Sequence, residues 1–198
     1  MVPRKPDYAR CLLVNAIKVM QSQDIINFWF YELNEKQRFA KDLALDASIR
    51  ERFGPTLRCA ALGELFEWRA TSLGRLAEIV VLDQFSRNIY RDTPAAFAQD
   101  AQALTLAQEM VAGGQDQNLS VEQRAFAYMP CMHSESLLIH GQAVRLFAQP
   151  GMEGTLAFEI RHKAIIERFG RYPHRNAILG RLSTPEEQAF LDQPGSSF

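Results

Sequence analysis

Nowhere along this chain do apolar and polar residues alternate as a half-buried strand requires. Apolar positions instead recur at the three- and four-residue spacing of helices almost throughout. The helix boundaries are written locally. Thr184-Pro185-Glu186-Glu187 supplies an N-cap hydroxyl, a proline at the first helical position and a capping-box glutamate. Thr93-Pro94 repeats the cap and proline before AAFAQDAQALTLAQEMVA, and Gly113-Gly114 closes that run. Ser120 with Gln123 offers a further box, and Asp24 is placed to cap IINFWFYEL. The spacing predicts helices over about 9–21, 24–34, 44–53, 59–68, 73–88, 94–112, 121–147 (with a break offered by Pro130), 155–169, 173–180 and 185–192. Short connections between them predict an all-α fold, an antiparallel helix stack. No clean repeat occurs near the ~34-residue period of helical arrays, so any solenoid is degenerate.

The 198 residues suffice for one domain that folds without disulfide or metal. Residues 1–23 read as an N-terminal appendage of helical character, 24–192 as a single helical domain and 193–198 as a flexible tail. A formal net charge of -1 offers no general affinity for nucleic acid or an anionic membrane. Cys11, Cys59 and Cys131 are odd in number and far apart, with no C-x-x-C pair, which fits a reduced, cytoplasmic protein. The longest purely aliphatic run, Ile79 to Leu82, is far short of a membrane span, and the N-terminus lacks a signal-peptide pattern.

Ionisable groups interrupt the apolar stripes at a few places. In LGRLAEIVVLDQFSRN, residues Leu76, Val80, Asp83 and Arg87 share one helical face, with the last two at ion-pair spacing. In FAYMPCMHSESLLIHGQAVRLF, His133 and His140 lie on one largely apolar stripe and Glu135 on another, which predicts a helix surrounded by protein. Pro130 marks a kink or a fresh start there. Gly170 reads as a helix stop and Pro173 as the next start, which puts His174 and Arg175 in a first turn. From residue 161 to 181, Arg161, Lys163, Arg168, Arg171, Arg175 and Arg181 face one acid, Glu167. Helix starts favour negative charge, so this cationic segment requires compensation. Asp83 and Glu135 could neutralise Arg171 and Arg175 as an internal latch, or a bound anion could sit on the helix start.

These stretches also carry a resemblance. LDQFSRN, the HSE of residues 133–135, and GRYPHRN followed by ILGR and STPEE resemble the signature of the bacterial Domain of Unknown Function 924 family. FWF (28–30), the D-x-x-I-x-x-R-F of residues 46–53, G-x-L-x-x-W (63–68) and TPAAFAQDAQAL fit as well, in order, across residues 24–192. The resemblance implies a tetratricopeptide-like helical fold and no established activity, cofactor or substrate. Ser86 stands where a proline is common in that family, and Glu78 interrupts a normally apolar run, which bears on how that helix packs.

Two functions are compatible with these residues. In the first, Asp83, Arg87, Arg171, Arg175 and Asn176 form a binding site for a small anionic ligand. His133 or His174 then serves as general acid or base, with Glu135 or Asp83 orienting it. In the second, the chain is a tetratricopeptide-like module that binds a protein partner, and the same cluster is a structural latch. A metal site is disfavoured. On a helix His133 and Glu135 point ~200° apart, and His133 and His140 are separated by about 10.5 Å along the axis. Ser134 lacks the Gly-x-Ser-x-Gly elbow of a serine nucleophile, no Gly-rich phosphate loop is present, and no cofactor is indicated.

Overall fold

The computed structural model describes residues 19–196. Among them every regular element is helical: α1 (Ser22–Asn27), α2 (Glu35–Phe39), α3 (Leu43–Ala61), α4 (Ser72–Val80), α5 (Ser86–Ile89), α6 (Asp100–Ala112), α7 (Val121–Met132), α8 (Leu137–Phe147), α9 (Glu153–Phe169) and α10 (Pro185–Leu191). Wide, π-type turns at Phe28–Glu32 and Val81–Phe85 continue α1 and join α4 to α5 without a break. The helix expected over 9–21 falls mainly outside the described residues.

The caps act where the sequence placed them, with two changes. Thr184 accepts from the Glu187 backbone at 3.2 Å while the Glu187 carboxylate accepts the Thr184 N–H at 2.8 Å. Ser120 and Gln123 close the same reciprocal box at the start of α7. Asp24 is not the cap of α1; it accepts the backbone N–H of Gln21 at 2.9 Å from inside the first turn. Thr93-Pro94 opens only a short 3₁₀ turn (Pro94–Phe97), and α6 begins afresh at Asp100.

Three expected boundaries move for physical reasons. The helix expected over 44–53 continues through Pro55 to Ala61 as α3, taking in only the start of the one expected over 59–68, whose remainder is a turn and the 3₁₀ segment Phe66–Ala70. A proline removes the N–H bond to the fourth residue upstream, and here that residue, Glu51, is exposed, where water can satisfy its carbonyl. The 121–147 segment breaks at residues 133–136 rather than at Pro130, which sits inside α7. The helix expected over 173–180 is a single 3₁₀ turn, Pro173–Arg175.

Consecutive helices pack on one another, α6 on α7, α7 on α8 and α8 on α9. His140 on α8 meets Glu159 on α9 across their connection, which makes those two antiparallel. At the centre lies α4 with its π-type extension, packed against α1, α6 and α7. Leu76, Ile79, Val81, Leu82 and Phe85 are wholly buried, so this helix is enclosed on all sides. Gly74 is required there, because a Cβ at that position would lie 2.1 Å from the Trp68 carbonyl oxygen. Glu78, the break in the apolar run, is buried and bonded twice by the Arg69 guanidinium, at 2.7 and 2.6 Å. A second, smaller core joins Ile165, Ile166 and Tyr172 to Phe169 and Phe190, seating the 170–190 segment on α9. Among the described residues no helix is long and apolar enough to cross a membrane.

Candidate functional site

The π-type turn Val81–Phe85 widens the central helix at Asp83, a distortion that recurs at functional sites. Asp83 is buried, and its Oδ1 lies 2.7 Å from His133 Nδ1 and 2.9 Å from Arg87 Nη1. Gln84 donates to the other oxygen at 2.5 Å. Arg87, one turn on, also donates to the Asp83 carbonyl at 2.9 Å and reaches the Asp100 carboxylate with both terminal nitrogens, at 2.8 and 3.0 Å. Arg175 approaches the same Asp100 carboxylate at 3.3 Å and donates to the His133 carbonyl at 3.0 Å. Phe97 lies beneath both guanidiniums, 5.7 Å from Arg87 and 4.6 Å from Arg175, and Tyr172 faces Arg175 at 4.6 Å.

The electrostatics of this cluster follow from burial and neighbours. Burial alone would favour a protonated Asp83, but the adjacent Arg87 and His133 override it and hold the carboxyl well below its usual range. Burial, and then the Arg87 charge, push the His133 imidazole down, against the pull of Asp83. At neutral pH Asp83 is therefore ionised and His133 neutral. The short Nδ1 contact assigns the ring proton to Nδ1, which leaves the lone pair on Nε2. Among the described residues Nε2 makes no hydrogen bond. The side chains of His133, Arg87 and Asp100 remain 18, 20 and 21% exposed, so the cluster opens to solvent on one side.

A second polar group lies on the other side of the 171–176 segment. Glu135 is held by Arg181 through two bonds, at 2.7 and 2.9 Å, and accepts the Tyr172 backbone N–H at 2.8 Å. Arg171 forms a matching pair with Glu187, at 2.6 and 2.8 Å. Asn176 links the two, accepting from Arg181 and donating to Ser183 and Glu187. The His174 ring lies tilted against Tyr172, with centroids 5.4 Å apart, and burial followed by the Arg175 charge push its imidazole down to about 4. Deeper still, the wholly buried His140 and Glu159 meet at 2.7 Å.

The expected site residues thus divide. Asp83, Arg87, His133 and Arg175 come together. Glu135, Arg171 and Asn176 gather a short distance away, with His174 beside Tyr172 between the groups. The expected compensation of Arg171 and Arg175 by Asp83 and Glu135 uses other acids: Glu187 bonds Arg171 and Asp100 bonds Arg175. Among the described residues no three His, Cys, Asp or Glu side chains are grouped to hold a metal ion. A cavity of about 470 Å³, lined by parts of α1 and the start of α4, shares no residue with either cluster.

Comparison with known proteins places this arrangement in context. Residues 25–195, a span that contains every residue of both clusters, match the family described as bacterial protein of unknown function (DUF924). The chain belongs to that family. The solved structure of the protein of unknown function ATU0120 from Agrobacterium tumefaciens is similar to this DUF924 chain. The two are 37% identical and superpose with a TM-score of 0.83, over 86% of this chain and 96% of the Agrobacterium chain. No curated protein matches.

Sequence reasoning missed Asp100, Arg181 and Glu187 as partners in the clusters. Asp100 lies inside the helix expected over 94–112 and Glu187 reads as a capping glutamate; in the structure Asp100 is a first-turn acid of α6 and Glu187 closes its box. Nothing local marks their second role, because Asp100 is 75 residues from Arg175 and Arg181 is 46 from Glu135.

Proposed function

We propose that this family member binds a small molecule carrying an oxyanion, and that His133 exchanges a proton with it. The observation that carries the reading is the His133 imidazole. Its Nδ1 is fixed by the buried Asp83 carboxylate at 2.7 Å, and among the described residues its Nε2 is unbonded, on a side chain that is 18% exposed. A carboxylate on one ring nitrogen sets the tautomer and makes the other a general base, or a general acid once protonated. Arg87 bonds the same Asp83 carboxylate and Arg175 the His133 carbonyl, and the two guanidiniums supply the cationic contacts that carboxylates and phosphates favour. In this reading Glu135, Arg171 and Asn176 position the 171–176 segment, and His174 lines the approach beside Tyr172.

A ligand panel of phosphate, carboxylates and nucleotides, read by thermal unfolding of the wild type and Arg175→Ala, tests the proposal. A ligand present at 100 times its dissociation constant stabilises by ~2.7 kcal/mol, and that shift should vanish in the variant. Nitrogen-detected NMR of His133 should show an Nδ1-protonated neutral ring whose titration the ligand moves. A silent panel, together with a His133 that titrates near the ordinary ~6.5, refutes the reading.

A second reading is favoured by Leu137 and Leu138, 48 and 76% exposed where α8 begins next to the cluster. There the helical stack is a tetratricopeptide-like interaction module and both polar clusters are latches. It predicts a silent panel and an Arg175→Ala variant whose defect is one of stability.

A further inference from the structure

Asp100 has an unusual position between the two site arginines. It binds Arg87 with both oxygens, at 2.8 and 3.0 Å, yet its contact with Arg175 is a single longer one at 3.3 Å. Arg175 itself is only 8% exposed, and among the described residues its buried Nε has no hydrogen-bond partner. Burial and the neighbouring Arg87 charge destabilise the Arg175 cation. The shared carboxylate therefore under-serves the more buried guanidinium. Both guanidiniums rest on the Phe97 ring, which supports planar cations side by side without consuming their N–H donors. With Asp83 ionised and His133 neutral, the two guanidiniums face two carboxylates, and the cluster as it stands has no surplus positive charge for an incoming anion. One of those carboxylates, Asp83, is buried and bonded on both oxygens. The other, Asp100, is 21% exposed, and among the described residues its only side-chain partners are the two arginines.

We infer that Asp100 is an internal stand-in for the ligand's oxyanion: it occupies the anion's place on Arg87 and Arg175, and a carboxylate or phosphate group enters by exchanging with it. The inference deepens, and rests on, the reading of the cluster as an anion site. Exchange conserves charge pairing, because each guanidinium gives up one oxyanion and gains another while Asp100 turns to water. It also explains a site that holds two arginines together when no ligand is bound. The device sets specificity as well, since only groups that outcompete a tethered carboxylate displace it. A planar or tetrahedral oxyanion able to bridge both guanidiniums and reach Arg175 Nε meets that condition.

Calorimetric titration of the wild type and Asp100→Asn with inorganic phosphate and, separately, acetate is the test. Asp100→Asn should bind at least one of them about tenfold to a hundredfold more tightly, as expected when a tethered competitor and its charge are removed beside two guanidiniums. The preferred anion tells phosphate from carboxylate. The gain should disappear in the Asp100→Asn, Arg175→Ala double variant. A folded Asp100→Asn with wild-type affinity for both anions overturns the inference, as does a gain that persists without Arg175. If the variant does not fold, carbon-detected NMR of the wild type decides. Phosphate should then move the Asp100 carboxyl resonance together with the Arg175 side chain, and a titration that leaves Asp100 unmoved ends the idea. The two proposals fail separately. A wild type that binds a panel ligand, with no gain in Asp100→Asn, removes only the exchange. A gain in Asp100→Asn, beside a silent wild-type panel and an ordinary His133 titration, removes only the functional reading.

Discussion

Two arginine–carboxylate clusters flank the 171–176 segment, and they differ in how completely they are satisfied. On one side Arg171 meets Glu187 and Arg181 meets Glu135, each guanidinium matched to one carboxylate through two bonds. Asn176 fills the gaps, so the group resembles a finished structural joint. On the other side Arg87 and Arg175 share Asp100, and among the described residues neither Arg175 Nε nor the Nε2 of the partly exposed His133 has a hydrogen-bond partner. Both clusters draw on the same residue types. Saturation separates them: a fully paired network has nothing left to offer a ligand, whereas an under-paired one retains donors and a lone pair.

That contrast can be broken most decisively at Asp83. Asp83→Ala leaves Arg87 and His133 without their buried counter-ion, and removing one partner of a buried pair costs about 3–5 kcal/mol, measurable by urea unfolding. Asp83→Asn should be milder and should lower the His133 titration further, because Asp83 is the group that pulls it up. A His133 titration that rises instead would remove Asp83 as its orienting partner.

A smaller loss is expected at the saturated joint. Glu187→Ala should cost about 1–3 kcal/mol and leave any ligand response of the wild type intact. The Arg171 bonds hold the Glu187 carboxyl down at about 2, against an ordinary 4.5. Its folded-state value is the lower one, so its contribution is complete above 4.5 and is lost as pH falls toward about 2. Glu187→Gln should flatten the stability profile in that window. Loss of ligand binding in either variant would erase the distinction between the clusters.

His174 lies between them and acts at a different pH. Its folded value of about 4 lies below the ordinary 6.5, so the neutral ring's contribution is whole above 6.5 and falls away on acidification toward about 4. His174→Gln should change little at neutral pH and should weaken the acid dependence between those values, as chemical denaturation at a series of pH values would show. The smallest effect belongs to the exposed pair Lys41–Asp92, with side chains 59 and 68% exposed. Lys41→Ala should stay within ~0.5 kcal/mol of the wild type, which calibrates the scale for the buried pairs.

Features that depend on neighbours in the chain were legible beforehand. The boxes at Thr184 and Ser120, the stop at Gly170 and the Asp83–Arg87 pair are each set within four residues, and each forms as its spacing implies. The helix end expected at residue 53 did not form, because α3 continues through Pro55, whose missing N–H bond belongs to a carbonyl on exposed Glu51. The surplus of arginines between 161 and 181 correctly signalled that compensation was needed, but not which acids would supply it.

The sequence by itself determined that the described residues are helical, where several of the helices begin and end, and which polar residues interrupt the buried faces. Those outcomes follow from hydrogen bonds and side-chain periodicity confined to a turn or two. Only the tertiary structure decided that Asp100 serves both Arg87 and Arg175, that Glu135 belongs to Arg181, and that His133 keeps a free nitrogen. Charges that meet across dozens of residues are paired by how helices pack, and no local pattern records that choice.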